Sequence, residues 1–283
     1  MAFLRRFLRS APAAIGLLIV TVALAAAILG TTIAPHDPEA QDIMSRLMPP
    51  LAQGEEGIHW LGTDALGRDI LSRLVVGARV SILVGVAAML ISALVGVSCG
   101  LAAGYEDRVL GRVLMAITDV QLAIPFLVLA LAVVAVLGPS LWNLIMVLGL
   151  ANWVQYARVV RAECLVLRNL DFVHAAHAAG THPVRIVTRH LLPNVMSSVT
   201  VISGLLVAKM ILFESSLSFL GLGVPPSIPT WGAMIADGRN YVANAWWVAA
   251  MPGFALFLTV IGINLVGDRL RDILDPRLSQ VEN

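Results

Sequence analysis

Six apolar runs, at about residues 12–34, 80–104, 113–137, 141–157, 195–219 and 246–267, constrain this chain more than any other feature. Each is long enough to approach or cross a hydrocarbon core of about 30 Å as a helix. In hydrocarbon the backbone must satisfy its own polar groups, which leaves helices or closed barrels. Continuous runs of this length predict an all-α membrane protein with six transmembrane helices. The fourth run is the shortest, and Asn152, Trp153 and Gln155 make its limits the loosest. Only 13% of residues are charged, against about 25% in a soluble domain. The first run, Pro12–Ala34, exceeds the roughly 7–15 residues of a signal-peptide core. It reads as a retained span despite the Arg5-Arg6-Phe7-Leu8-Arg9 that precedes it.

Charge placement sets an orientation. With the N-terminus inside, cytoplasmic pieces carry Arg5, Arg6, Arg9, Arg108, Arg112, Arg158, Arg161, Arg168, Arg185, Arg189, Arg269, Arg271 and Arg277, 13 of the 19 basic residues. Outside pieces carry five, Arg46, Arg68, Arg73, Arg79 and Arg239, beside acids such as Asp37, Glu39, Asp42, Glu55, Glu56, Asp64 and Asp69. The excess of arginine inside predicts two cytoplasmic termini. The chain then divides into a cytoplasmic N-terminus and first span (1–34), an extracytoplasmic segment (35–79), a five-span core (80–267) with a cytoplasmic loop at 158–194, and a cytoplasmic tail (268–283). A net charge of +1 offers no footprint for nucleic acid. Cys99 and Cys164 make no disulfide framework.

Within the runs, Gly96, Gly100 and Gly104 repeat every four residues and predict one close helix contact. Pro125 and Pro252 fall inside the third and sixth runs, where freed carbonyls kink a helix or line a cavity. In the extracytoplasmic segment Asp64 reads as an N-cap. An amphipathic helix follows, with Ile70, Leu71, Leu74, Val75 and Ala78 on one face and an Asp69–Arg73 pair on another. Such a helix would lie on the membrane surface and lead into the second span. Asp119, Lys209 and Glu214 are charges in or near apolar runs, where a charge costs at least a few kcal/mol unless paired. Asp119 reads as interfacial. Glu214 lies near the outer end of the fifth run.

The loop at 158–194 is the most informative stretch. It predicts a short helix from Asp171 to Ala179, stopped by Gly180, and a second helix with Pro183 in its first turn that ends before Pro193. Such a pair forms a protruding knob whose alanine-rich face lets another protein approach closely. His174, His177, His182 and His190 crowd this loop. A His-x-x-His pair can bind zinc, but only Asp171 is near enough to add a ligand, so no metal site is assigned. No glycine-rich phosphate loop exists, and the only lysine is Lys209.

His174-Ala175-Ala176, Gly180 and Leu191-Leu192-Pro193 resemble the "EAA" loop of bacterial ABC-importer permeases, with His174 where that family has glutamate. His59-Trp60-Leu61-Gly62-Thr63-Asp64 with Gly67-Arg68-Asp69, Phe213-Glu214 through Gly223 with Pro229-Thr230-Trp231-Gly232, and Asn264 through Arg277 resemble the second (C-type) permease subunit of dipeptide, oligopeptide or nickel importers. The resemblance spans about residues 10–278. It implies the type I importer permease fold in a bacterial inner membrane and import of peptides, with nickel chelates or glutathione as alternatives. It implies a B-type permease as partner, two ATPase subunits that carry Mg-ATP, and an extracytoplasmic substrate-binding protein. No cofactor belongs to this chain. The implied ATPase-coupling residues are Asp171, His174, Ala175, Ala176, Gly180, Arg185 and Pro193. Glu214, Ser218 and Asp119 are implied in the pathway or gate, and Trp60, Asp64, Arg68, Asp69 and Trp231 in the outer segment or binding-protein contact.

Two other classes fit the sequence less well. A self-sufficient secondary transporter often shows internal repeats, and none is convincing here. An intramembrane enzyme needs a Ser/His, paired-carboxylate or His-Glu-x-x-His constellation, and none is visible in the runs.

Overall fold

The computed structural model describes residue 7 and residues 10–274 apart from 56, 107 and 226. Arg5, Arg6, Arg9, Glu56 and the Asp275-Pro276-Arg277 end of the C-terminal motif lie outside the described residues. Where apolar runs carry no backbone breaker they form long helices. The chain runs α1 (Ala11–Ile33), β1 (Ala52–Gly54), β2 (Gly57–His59), α2 (Ile70–Tyr105), α3 (Val109–Ala123), α4 (Phe126–Leu137), α5 (Leu141–Leu167), α6 (Asp171–Ala178), α7 (Pro183–Phe219), α8 (Trp231–Gly238) and α9 (Trp247–Leu274). The two strands pair antiparallel, Ala52 with His59.

Among the described residues, α1, α2, α7 and α9 are long and apolar enough to cross a bilayer; the count reaches five if α3 and α4 form one span. Helix α5 has the length, 27 residues, but Asn143, Asn152 and Gln155 dilute its apolar character.

The third run is not one straight helix. Its two halves meet at 87° across Ile124-Pro125. Ile124 sits at φ −95°, ψ 122°, the extended backbone that a following proline imposes, so the helix stops there and restarts. Pro252, by contrast, lies inside α9 without ending it.

Two further expectations change. The amphipathic stretch at 70–79 does not lie on a surface, because it is the first part of the unbroken α2. Ile70 and Ala78 are fully buried, with Ile70 packed among Met234, Ala245, Trp247 and Val248. The helix that starts at Pro183 also does not end before Pro193. A π-helical turn at Val187–Leu191 carries it through. A proline removes one helical hydrogen bond and clashes with the carbonyl four residues back, and a wider turn just before it moves that carbonyl away.

Small residues set the helix contacts. A side chain added at Gly96 would fall 2.3 Å from the Trp153 carbonyl, one at Gly100 2.8 Å from that of Ala157, and one at Gly104 2.5 Å from Cys164 Cβ. The predicted glycine stripe is therefore the seam between α2 and α5, extended by the Ser92 hydroxyl, which donates to the Gly149 carbonyl at 2.6 Å. Gly16 against Leu265 and Gly262 joins α1 to α9 in the same way. The main core fills the space between α2, α4, α5 and α7 with Val84, Ala88, Val134, Leu144, Leu148, Met210 and Leu217, and Phe126 stacks on Phe213 at 4.1 Å.

Candidate functional site

Three groupings carry chemistry, and α2 touches all of them. At its C-terminal end stands the knob, residues 168–186. Helix α5 runs to Leu167, ten residues past the expected end of the fourth span, so Arg158 and Arg161 stand on a helix rather than in a loop. Helix α6 carries Asp171 in its first turn, where a carboxylate complements the helix dipole. Gly180 adopts φ +72°, the left-handed conformation that ends a helix and that glycine takes without strain. Thr181 N–H reaches back to the Ala176 carbonyl at 3.0 Å, closing the turn.

The inner side of the knob is fixed. Val173, Ile186 and Leu191 are fully buried, packed with Leu101, Tyr156, Val160 and Cys164. The ring of His177 stacks at 6.0 Å on Tyr105. The Arg168 guanidinium donates to the carbonyls of Gly104 at 2.9 Å and Tyr105 at 3.4 Å, satisfying carbonyls at the end of α2 that have no partner within the helix. The outer side is open. Asp171, His174, Ala175, Gly180, Arg185 and Pro193 are exposed, Ala176 half-buried, and Leu170, Phe172 and Val184 add apolar surface.

The second grouping lies near the end of α7. The Glu214 carboxylate is fully buried. The Ser218 hydroxyl donates to it at 2.7 Å and that of Ser215 at 3.3 Å, and the hydroxyls of Ser81 and Thr230 join the ring. Burial with four hydroxyl donors makes Glu214 a tie between α2, α7 and the loop before α8. Ser218 and Glu214, both named by the resemblance for the pathway or gate, are brought into direct contact. Ser81 and Thr230 had no sequence signal, because they arrive from distant segments. On α3, Asp119 pairs with Arg158 at 2.5 Å, and both side chains are largely exposed, at 67% and 48%. Beside them Gln121 accepts from Trp153 Nε1 at 2.8 Å and donates to the Ala151 carbonyl at 2.8 Å. Lys209 lies 5.3 Å from the ring centre of Phe213, a cation–π contact.

The third grouping is a cap in which residues 34–69 pack against residues 220–246 at the N-terminal end of α2. Asp69, not Asp64, is the N-cap: its Oδ2 accepts from the Ser72 N–H at 2.8 Å and hydroxyl at 2.7 Å. Asp64 instead closes the preceding turn, accepting from the Leu66 and Arg68 N–H groups at 2.8 and 3.0 Å and from Arg68 Nε at 2.7 Å. Arg73 pairs with Asp64 and Asp237, each at 3.8 Å, rather than with Asp69. The near neighbour was outcompeted because Asp69 is already engaged by Ser72 and by His59, 2.9 Å away. Gly67 leaves no room for a side chain: a Cβ there would fall 1.7 Å from the Asp42 carbonyl oxygen. Asp42 is held below the usual carboxylate range, first by the Ser45 hydroxyl and then by the Met44 N–H.

Burial separates the five residues named for the outer segment or binding-protein contact. Asp64, Asp69 and Trp231 are at most 4% exposed and hold the cap together; Trp231 Nε1 donates to the Leu74 carbonyl at 3.0 Å. Arg68 bridges Asp64 and Asp237. Trp60 alone of the five is exposed, at 54%.

A bundle of long apolar helices, one pair bent at a proline, with a knob packed against one end and a stapled cap at the other, is the architecture of a multi-pass membrane protein. Residues 96–280 match the family model of the binding-protein-dependent transport system inner membrane component, and residues 2–50 match that of the N-terminal transmembrane domain of oligopeptide transport permease C. The chain belongs to the binding-protein-dependent transport system inner membrane component family. It is 41% identical over 264 residues to the di/tripeptide transport system permease protein of Pseudomonas aeruginosa, covering 93% of this chain and 87% of that one. It is 40% identical to the glutathione transport system permease protein of Pectobacterium atrosepticum, covering 98% and 90%, and 38% identical to the dipeptide transport system permease protein of Alkalihalophilus pseudofirmus, covering 94% and 86%. In fold it is similar to a chain of a methionine ABC transporter solved in inward-facing conformations, with TM-score 0.57, 19% identity, and 72% of this chain and 96% of that one covered.

Proposed function

We propose that this chain is the C-type permease of an ATP-driven importer of di- and oligopeptides in a bacterial inner membrane. It would pair with a B-type permease to enclose the pathway, with two ATPase subunits carrying Mg-ATP on the knobs and an extracytoplasmic binding protein delivering substrate at the cap. The observation that carries this reading is the knob: its outer face is open, while Arg168, Val173 and Ile186 lock its inner face to the spans. A push on the knob therefore reaches the helix bundle, as a two-state transporter requires. The relatives named for dipeptides, di/tripeptides and glutathione support short peptides and their like as cargo, with nickel chelates kept as the alternative.

Six crossings follow if the bent α3–α4 pair counts as one and α5 as another. Contact supports this parity. Segments 34–69 and 220–246, both assigned outside, touch through Arg68–Asp237, and Trp247 Nε1 at the start of α9 donates to the Thr63 carbonyl at 3.3 Å. The knob meets α2 at the opposite end. With both termini cytoplasmic, the cap faces outward and the knob inward. The exposed Asp119–Arg158 pair marks the pathway or partner face, since ions facing lipid cost several kcal/mol.

Co-expression with the neighbouring ATPase, B-type and binding-protein subunits, followed by gentle detergent purification and reconstitution, tests the reading. Co-purified ATPase subunits and ATP-dependent uptake of a labelled dipeptide are expected. A chain that brings down no ATPase, or that moves solute without ATP, would sink it.

A further inference from the structure

His36, His59 and Asp69 belong to three separate pieces of the cap: the chain just past α1, strand β2 and the N-cap of α2. His59 Nδ1 lies 2.9 Å from Asp69 Oδ1 and His36 Nδ1 3.7 Å from the same oxygen. One ligand atom from each residue can be taken so that all three fall within 4.8 Å of one another. Ligands held about 2.0–2.1 Å from a tetrahedral ion are roughly 3.4 Å apart, so the two measured separations bracket what such an ion needs.

The surroundings are those of a built site. The side chains of His36, His59 and Asp69 are only 9, 7 and 1% exposed. His36 Nδ1 is a buried ring nitrogen without a hydrogen-bond partner among the described residues, and an unmet buried polar atom costs about 1–3 kcal/mol. The two imidazoles lie 4.7 Å apart, centre to centre. The second Asp69 oxygen accepts from the Ser72 N–H and hydroxyl, as outer partners orient a metal-binding carboxylate. A cavity of about 40 Å³ opens on these three residues, with Asp42 and Gln41 on its wall. That is room for an ion with one water.

We propose that His36, His59 and Asp69 bind a divalent first-row transition-metal ion with the ligand preferences of zinc, water or a cap residue completing the tetrahedron. Two imidazole nitrogens and one carboxylate oxygen suit zinc better than magnesium or calcium, which prefer all-oxygen shells. The ion would pin the end of α1 to the start of α2, and so fix the cap.

The test uses the full chain with a histidine-free affinity tag, stripped with EDTA, reloaded with zinc and desalted. About one zinc per chain is expected, as for a single site, with a midpoint of thermal unfolding raised by several degrees and lowered again by EDTA. His36→Ala and the bulkier His36→Tyr should each lose the zinc and the shift, while keeping the wild-type elution volume, since the His36 side chain makes no hydrogen bond among the described residues. A His174→Ala/His177→Ala double variant should keep both. X-ray absorption of the loaded wild type should show two imidazoles in the first shell. Stoichiometric zinc retained by both His36 variants, or a wild type that retains none, overturns the proposal, as does a shell without imidazole.

Discussion

The Arg168 guanidinium, at the entry to the knob, donates to the carbonyl of Gly104 at the end of α2, 2.9 Å away. It is a charged donor on an unfilled helix-end acceptor, worth about 1.5–3 kcal/mol by the usual range for such bonds. Arg168→Ala should leave ATP hydrolysis by the assembled complex running while peptide uptake per ATP falls severalfold. Paired hydrolysis and uptake assays in proteoliposomes check this, and an unchanged ratio would show that the bond transmits nothing.

Gly180 stands at φ +72° with open space around it. Proline is confined to φ near −65°, so Gly180→Pro should deform the turn and cut uptake by about tenfold or more, the change expected when a two-state element is misplaced. Gly180→Asn should be nearly silent, because asparagine tolerates the left-handed region. Gly180→Ala should fall between, at about 1–2 kcal/mol of local strain. Equal uptake across the three variants would refute the knob's role.

The seam between α2 and α5 has no spare volume. Gly100→Leu should either separate the helices or prevent folding, since overpacking a close-packed contact costs about 1–3 kcal/mol or more. Gly253→Leu, at a glycine where an added Cβ meets nothing, should be tolerated. Fluorescence-detected size-exclusion after heating ranks the two variants, and the reverse order would contradict the packing.

Asp64 holds Arg68 and Arg73 together, with Arg73 only 5% exposed. Asp64→Ala leaves both guanidiniums only the half-exposed Asp237 and leaves the Leu66 and Arg68 N–H groups unmet, so a loss of about 3 kcal/mol is expected, the low end for a broken buried pair. Asp64→Asn keeps the turn's acceptor and should lose less. Unfolding midpoints in detergent measure the difference; a larger loss for Asn than for Ala would contradict it.

Local patterns were readable where one element decides its own shape. The four-residue spacing of Gly96, Gly100 and Gly104 named a helix contact, and Gly180 with Pro183 named a stop and a start. Reading failed where partners compete across distance. Asp64 and Asp69 are both good caps by composition. Only the arrival of His59, Ser72 and Asp237 divides their roles. Pro125 and Pro193 look alike in sequence; one breaks its helix by 87° and the other is absorbed by a π-helical turn, because the backbone before each is differently held. His36 carried no signal at all, since its neighbours in space lie 23 and 33 positions further along the chain.

Helix α2 is continuous over 36 residues, which at 1.5 Å per residue makes a lever of about 54 Å. It starts among the cap's carboxylates and ends under the Arg168 guanidinium, with no proline between. A 10° tilt about its midpoint would carry each end by about 5 Å, in opposite directions, on that length. A beam without a joint cannot report motion at one end while sparing the other, so displacement of the knob becomes displacement of the cap in a single mechanical step.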